Sequence, residues 1–223
     1  MKSLLFLAAI ICYANTYAQN CSGYYFLQNN KTVEMEIYNK KGEVSGKQIY
    51  KVTNVSNSGN TTTADINTQM LDKKGKEISK GASKMKCADG VMMVDMKMSM
   101  PTQPGQTVNA DANASDIYIE YPNSMSVGDN LKDASMHLEM NSTGMKQTID
   151  MEVTNRKVDS KEKITTTAGT WDCFKITCHT LMKMKIMGIG KPMEFDSVEW
   201  YAPGFGVVKT ESKYGGTAIV AVR

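Results

Sequence analysis

The sequence predicts an all-β protein whose strands form an antiparallel meander, curled into an open barrel or half-barrel within a single domain. Three observations predict this class. Apolar and polar residues alternate in several segments, turn sequences separate these segments at short intervals, and no segment repeats its apolar residues with helical spacing. Because each predicted strand has only one apolar face, the sheet must curl on itself or pack against a second sheet, and a sandwich is the alternative arrangement.

Each strand is predicted from a two-residue repeat of apolar side chains. In residues 92–100 the even positions are Met, Val, Met, Met and Met, whereas the odd positions are mostly polar. The longest repeat places Phe174, Ile176 and Met182 on one face, with lysines and threonines on the other. Side chains two positions apart on a strand point to the same face, so each repeat defines an apolar face. Further strands are predicted around Met35, Ile119, Met136 and Met151.

Turn sequences separate the predicted strands. Residues 39–42 (Asn-Lys-Lys-Gly) and 72–75 (Asp-Lys-Lys-Gly) are near copies. Each has a turn-initiating Asx residue and a glycine suited to positive φ, as in a type I turn closed by a G1 bulge. Residues 101–115 are rich in Pro, Gly, Asn and Thr, and this composition predicts a long loop between two halves of the meander.

The first residues have the features of a secretory signal peptide. Lys2 supplies a positive start, residues 4–13 are apolar, and Thr16-Tyr17-Ala18 approximates the small-x-small cleavage pattern. We therefore predict a signal peptide over residues 1–18, one β-rich domain over residues 19–223, and a periplasmic or secreted location. No segment approaches the roughly 20 apolar residues that a spanning helix needs, so no membrane span is predicted.

The cysteines predict a disulfide. Beyond the signal peptide there are four, Cys21, Cys87, Cys173 and Cys178, and an even number in an oxidising compartment suggests pairing. Cys173 and Cys178 lie on one predicted strand, about 16 Å apart, whereas a disulfide allows roughly 7 Å between Cα atoms. This distance favours a single Cys21–Cys87 bond with two free thiols. Bonds from Cys173 or Cys178 to Cys21 or Cys87 are the open alternatives.

Charge and motifs argue against several classes of function. The chain has 26 Lys and Arg against 23 Asp and Glu, and a net charge of +3 is too small to suggest nucleic acid as a partner. It has no Gly-rich phosphate loop, no Ser nucleophile elbow and no metal-spaced His cluster. Cys178 and His179 are adjacent, and neighbours on a strand point to opposite faces, so they do not converge on one metal or one proton. We predict no catalytic residue, metal or cofactor, and no enzymatic activity.

Several polar residues are interpreted as the solvent-facing side of their strands. Glu34 with Glu36, or Asp196 with Glu199, could form a carboxylate pair of the kind that glycosidases use, but the sequence sets no separation between the members of a pair. A position on the wet face is the simpler interpretation for all four carboxylates. The same interpretation applies to His137, which follows the polar parity of its predicted strand.

Methionine is unusually frequent, with 18 residues in the chain. The two-residue spacing fits core packing, because Met fills irregular apolar space, and it also fits an adaptable apolar pocket. Soft thioethers bind Cu(I), so a copper site is a third interpretation. Core packing is favoured because any apolar strand face requires this spacing. The candidate contacts for an apolar ligand are Met92, Met96, Met98, Met100, Met182 and Met184.

Two stretches of the second half carry a family pattern, at residues 164–176 (ITTTAGTWDCFKI) and 199–209 (EWYAPGFGVVK), and a shorter one lies at Asn155-Arg156-Lys157-Val158. In these stretches the chain resembles the DUF3108-like proteins, also called the TapB family, of bacterial cell envelopes. The resemblance implies an exported, β-rich protein. It supplies no assigned activity and no catalytic residues.

The sequence supports three hypotheses for the function. The leading hypothesis is a non-enzymatic cell-envelope protein whose Met-rich concave face binds an apolar small molecule or an envelope protein. The alternative is a structural or assembly component of the envelope with a filled core, or, third, a Met-based copper binder. A void of about 300 Å³ or more, lined by that face, would favour ligand binding. The oligomeric state is left open.

Overall fold

The computed structural model describes residues 21–99, 107–110, 117–142 and 145–223, and most of these residues belong to β-strands. Within these ranges there is no α-helix, and the helical elements are three 3-10 turns at Cys21–Gly23, Tyr25–Leu27 and Met96–Ser99. The predicted signal peptide and the ligand candidate Met100 lie outside the described residues. The prediction of an all-β fold is confirmed.

Thirteen strands pair antiparallel in one sheet, with the order β6-β8-β9-β10-β11-β12-β13-β1-β2-β3-β4-β5-β7. The strands are β1 Thr32–Asn39, β2 Val44–Ser58, β3 Thr61–Asp72, β4 Glu77–Ala88, β5 Val91–Asp95, β6 Thr107–Ala110, β7 Tyr118–Pro122, β8 Ala134–Ser142, β9 Met145–Thr166, β10 Gly169–Ile186, β11 Pro192–Ala202, β12 Gly206–Ser212 and β13 Gly215–Val222. The sheet is nearly closed into a barrel with one unsealed seam. Because β6 and β7 are the two ends of the strand order, β7 forms one side of the seam.

Two predicted boundaries around residues 92–115 are wrong. The strand predicted over residues 92–100 ends at Asp95, and a 3-10 turn follows. Asp95 is buried, its carboxylate accepts a hydrogen bond from the Lys97 amide at 2.9 Å, and the Met96 amide donates to the Ile117 carbonyl at 2.9 Å. A side chain that bonds to the backbone in this way competes with the strand ladder. The loop predicted over residues 101–115 contains the short strand β6, which pairs with β8.

The near-copy turns form as predicted. The side-chain oxygen of Asn39 accepts from the Lys41 amide at 2.8 Å, and that of Asp72 accepts from the Lys74 amide at 2.8 Å. Gly42 and Gly75 follow with φ of 78° and 80°, a region that glycine enters without a Cβ clash. These two turns set the register of the β1–β2 and β3–β4 hairpins.

Side chains inside the sheet form two apolar clusters. The N-terminal 3-10 turns close one end of the larger cluster, the main core: the Tyr25 amide donates to the Gly204 carbonyl at 2.9 Å, and the Phe26 ring packs against Phe205. The smaller cluster lies on β8, β9 and β10, apart from Met96 of the third 3-10 turn, and we call it the methionine-rich core. Its buried members are Met96, Ala134, Met136, Leu138, Met140, Ile149, Val153 and Cys178.

A disulfide ties the N-terminal turn to β4. Cys21 and Cys87 are bonded, with 5.6 Å between their Cα atoms, and both belong to the main core. Cys173 and Cys178 are free and buried. This is the arrangement that strand spacing favours, and it fixes the N-terminal segment against the barrel.

Candidate functional site

The methionines proposed as ligand contacts do not share one surface. Met92 and Met98 are buried in the main core, whereas Met96 is buried in the methionine-rich core. Met182 packs against the edge of the methionine-rich core, and Met184, further along β10, is 43% exposed. The structure therefore brings Met96 and Met182 to the same cluster and places Met92, Met98 and Met184 outside it. Contact of any of them with a ligand stays a prediction.

Substitutions at Met96 separate packing from metal chemistry. We expect Met96→Leu to lower the free energy of unfolding by less than about 1.5 kcal/mol, because leucine nearly conserves the volume. Met96→Ala should lower it by about 2–5 kcal/mol, because a buried side chain is truncated. Chemical denaturation measures both values. Submicromolar Cu(I) binding that is lost in the leucine variant would contradict the packing interpretation.

A bulge in β9 turns one arginine into the interior. Thr177 of β10 pairs with Lys157 and His179 pairs with Thr154, so Asn155 and Arg156 together oppose a single residue. Asn155 has φ of 54°, a left-handed conformation that asparagine tolerates better than most residues. The extra residue reverses which side chains face inward, as bulges do. Consequently Arg156 faces inward and is only 1% exposed, although the other inward positions at this level of the strand are apolar.

The Arg156 guanidinium reaches across the unsealed seam. Its Nη1 atom donates to the Glu120 carbonyl of β7 at 3.0 Å and to the Lys132 carbonyl at 2.9 Å. The guanidinium carbon lies 4.9 Å from the centre of the Tyr121 ring, within the range of a cation–π contact. Among the described residues, the Nε and Nη2 atoms have no hydrogen-bond partner. One edge of the guanidinium thus fastens the seam, and the other edge is buried and unpaired.

An aromatic pair and a carboxylate complete the surroundings of Arg156. The Tyr121 ring stacks on the Tyr201 ring with 4.4 Å between centroids, and the Tyr121 hydroxyl donates to Glu199 Oε2 at 2.5 Å. Burial raises the pKa of Tyr121 well above its usual value, and the Glu199 carboxylate adds to that shift. The phenol is therefore a donor at neutral pH. We call Tyr121, Arg156, Cys178, Glu199 and Tyr201 the seam cluster.

Cys178 belongs both to the seam cluster and to the methionine-rich core. Its Sγ atom lies 3.0 Å from Ser197 Oγ and 3.9 Å from Glu199 Oε1. Burial raises the pKa of Cys178 to about 11, and the Glu199 carboxylate acts in the same direction. The group is a protonated thiol at neutral pH, and a thiol is a far weaker nucleophile than a thiolate. The seam cluster therefore sits where the two apolar cores meet.

The histidines lie on the outer face, as their strand parity predicts. His179 Nδ1 is 2.9 Å from Asp196 Oδ1, and its side chain points away from buried Cys178. His137 Nδ1 is 2.5 Å from Asp150 Oδ1 on the neighbouring strand. Both imidazoles contact carboxylates of neighbouring strands. The predicted separation of Cys178 from His179 is confirmed by this geometry.

The interpretation of Glu199 and Glu34 as solvent-facing is wrong. Glu199 is 8% exposed and accepts from Tyr121 inside the sheet, whereas Asp196 is exposed as expected. Glu34 is 9% exposed and is held by Lys47 at 2.9 Å and Arg223 at 2.6 Å. These two cations lower the pKa of Glu34. Paired partners distant in the chain offset the cost of burying each carboxylate, and strand alternation does not reveal them.

Sequence reasoning also missed Arg156. The signal for it was a change of parity along β9. Ile149 and Val153 are buried at odd positions, whereas Arg156 and Val158 are buried at even positions, so a residue must be inserted between them. The asparagine before Arg156 is a residue type suited to such an insertion.

No metal site emerges from the part of the chain that the structure describes. No group of three or more His, Cys, Asp or Glu residues is placed to hold a metal ion there. Two open surface pockets have volumes of about 380 and about 550 Å³, along the β9–β10 hairpin and across β1 to β4, and neither is lined by methionine. No described helix is long and apolar enough to cross a membrane.

Fold and site together define a nearly closed antiparallel barrel with a buried polar cluster between two apolar cores. The chain belongs to the DUF3108-like family, whose model matches residues 28–218. No curated protein matches it.

Two crystal structures resemble this fold over nearly all of their length. A Bacteroides fragilis protein assigned as exported, with a YmcC-like fold, is 19% identical with a TM-score of 0.71, covering 90% of this chain and 98% of its own. A Parabacteroides distasonis protein assigned as a lipoprotein is 20% identical with a TM-score of 0.72, covering 90% of this chain and 99% of its own. At these identities the likeness shows the fold alone.

Proposed function

We propose that the protein is an exported, non-enzymatic component of the cell envelope that binds an amphipathic ligand with an apolar chain and an acidic end. The observation that carries this proposal is the unpaired Nε–Nη2 edge of Arg156, buried beside the methionine-rich core. The proposal extends the leading hypothesis from the sequence, because it adds a polar anchor to an apolar surface.

The free edge of Arg156 suits an acidic group. Nε and Nη2 present two parallel N–H groups, the geometry that matches a carboxylate or phosphate in bidentate fashion. Buried N–H groups without a partner cost about 1–3 kcal/mol each, more for charged groups, and native structures rarely keep them without a reason. An acidic ligand group would satisfy both donors at once. The Nη1 bonds to Glu120 and Lys132 would meanwhile hold the guanidinium plane in place.

The methionine-rich core suits an apolar chain. Met96, Met136 and Met140 are unbranched side chains with several rotatable bonds, so the core can repack around an inserted chain at low cost. The core lies on β8 to β10, next to the seam, where β7 forms no ladder with β8. Entry of a ligand through the seam would interrupt the Arg156–Glu120 bond for a time but would break no ladder between strands. Cys178 connects the core to the seam cluster, so chain and acidic end would be bound side by side.

Export and the absence of catalysis are supported by separate observations. A Cys21–Cys87 disulfide suits an oxidising compartment, and the two similar crystal structures are of proteins assigned as exported or as a lipoprotein. Against thiol chemistry, Cys178 is a protonated thiol and His179 faces away from it.

One observation favours the alternative of a structural component. The buried methionines are already packed, with Met136 and Met140 each 4% exposed. If the interior never opens, the barrel is a rigid part of an envelope assembly and takes no ligand.

Binding of a dansyl-labelled undecanoic acid, competed by hexadecanoic acid or by hexadecanol, separates the two functions. We expect wild type to bind the labelled acid. Hexadecanol, which lacks the acidic group, should compete poorly. Arg156→Gln should weaken binding by about 10- to 100-fold, because a charge-assisted bidentate contact is lost, and Arg156→Lys should recover only part of it. Lys157→Gln, an exposed neighbour, is the matched control and should leave binding unchanged. Circular dichroism checks that each variant is folded. No binding by folded wild type would favour the structural alternative.

A further inference from the structure

The end of the β10–β11 hairpin is an exposed apolar tip. Every residue from 184 to 194 is exposed, although β10 pairs with β9 as far as Ile186 and the Met187 amide donates to the Lys146 carbonyl at 2.9 Å. Nine large apolar side chains are exposed in the described residues, and five of them lie on this tip. They are Met184 (43%), Ile186 (47%), Met187 (71%), Ile189 (82%) and Met193 (40%).

The turn at the tip is tight and has an unusual residue. The Ile186 amide donates to the Ile189 carbonyl at 2.9 Å and the reverse bond is 3.0 Å, which closes a two-residue turn. Met187 and Gly188 both have positive φ, at 51° and 83°, as in a type I′ turn. Asn, Asp or Gly is the ordinary choice at the first of these positions, and a large apolar residue there is strained. An apolar side chain thus occupies a turn position whose backbone conformation favours Asn, Asp or Gly.

Lysines surround the apolar tip. Residues 183–194 contain Lys183, Lys185 and Lys191 against a single acidic residue, Glu194. Lys183 and Lys185 occupy the parity opposite to Met184 and Ile186, so the hairpin has an apolar face and a basic face at the same level. The tip thus combines exposed aliphatic side chains with a local excess of positive charge.

We propose that this hairpin tip docks on the surface of an anionic lipid bilayer, with its Met and Ile side chains in the interfacial region and its lysines at the headgroups. Transfer of exposed apolar side chains from water into the interfacial region of the bilayer is favourable in free energy, and nearby lysines are attracted to anionic lipids. The exposed apolar residues cluster around one turn beside the start of β9. A single turn fits this role better than a protein interface, because stable protein contacts need roughly 800 Å² of matched surface on each partner. The inference is independent of the proposed ligand and would hold for a barrel with a filled core.

Sedimentation of the full-length exported protein with vesicles tests the docking. The vesicles are phosphatidylethanolamine with phosphatidylglycerol, or phosphatidylcholine alone. We expect binding to the anionic vesicles, weak binding to phosphatidylcholine, and a decrease between about 0.1 M and about 0.5 M salt. The double variant Met187→Asn/Ile189→Thr should weaken binding about tenfold or more. It should keep the turn, because asparagine suits the positive φ at position 187. Lys183→Gln/Lys185→Gln/Lys191→Gln should abolish the preference for anionic lipid.

Ile78→Thr is the matched control, because Ile78 is 47% exposed outside the tip, and it should bind vesicles as wild type does. The double tip variant should also bind the dansyl-labelled acid normally without vesicles, which separates this inference from the proposed function. Equal binding of wild type and the double tip variant would overturn the docking. So would a wild type that binds neither kind of vesicle, and the tip would then belong to a protein contact.

Discussion

Replacement of Tyr201 by alanine is expected to lower the free energy of unfolding by about 3–5 kcal/mol, the range for truncating a fully buried aromatic residue. Tyr201 is 0% exposed, and its ring supports Tyr121, which in turn contacts the guanidinium of Arg156. The substitution therefore opens a cavity and removes the stacking partner of the strand that borders the seam. Urea denaturation followed by tryptophan fluorescence measures the change.

Tyr201→Phe is the control for the hydroxyl group. The Tyr201 hydroxyl is 3.5 Å from the Tyr24 hydroxyl, at the outer limit of an O–H···O hydrogen bond. Its removal should cost less than about 1 kcal/mol. A loss below about 1 kcal/mol for the alanine variant as well would contradict the central position of the aromatic pair.

Removal of the disulfide is expected to lower the free energy of unfolding by about 4 kcal/mol, the loop-entropy value for a sequence separation of 66 residues. The bond restricts the unfolded chain, and in the folded protein it holds the N-terminal turns against the main core. The variant Cys21→Ala/Cys87→Ala, studied by urea denaturation, gives the value.

Reductant provides the matched comparison for the disulfide. It should destabilise wild type by a similar amount and leave the double alanine variant unchanged, because Cys173 and Cys178 are already free thiols. A peptide map that links Cys173 or Cys178 to Cys21 or Cys87 would refute the pairing.

Much of the fold follows from local rules. Strand alternation, the Asx–Gly turns and the absence of helical spacing predict the meander, because each depends on residues only a few positions apart. The strand over residues 92–100 was overextended for the same reason. The break at Asp95 depends on a side-chain bond to the Lys97 amide and on the Ile117 carbonyl, which strand periodicity does not register.

Most of the candidate site could not be predicted from the sequence. Arg156 faces inward only because a bulge at Asn155 shifts the parity of β9, and a strict two-residue repeat assigns it to the wrong face. Glu199 is buried because a tyrosine distant in the chain, on β7, donates to it. Contacts across a seam join residues far apart in the chain, so only the assembled sheet reveals them.

Native mass spectrometry of the protein, purified without detergent from its own cell envelope, would show whether an acidic apolar ligand is bound at Arg156. We expect a non-covalent mass above that of the chain, released on activation as an acid with a long apolar portion. The same mass should remain with Lys157→Gln and be lost from folded Arg156→Gln. Wild type at its bare mass, or a bound molecule that Arg156→Gln retains in full, would contradict the claim.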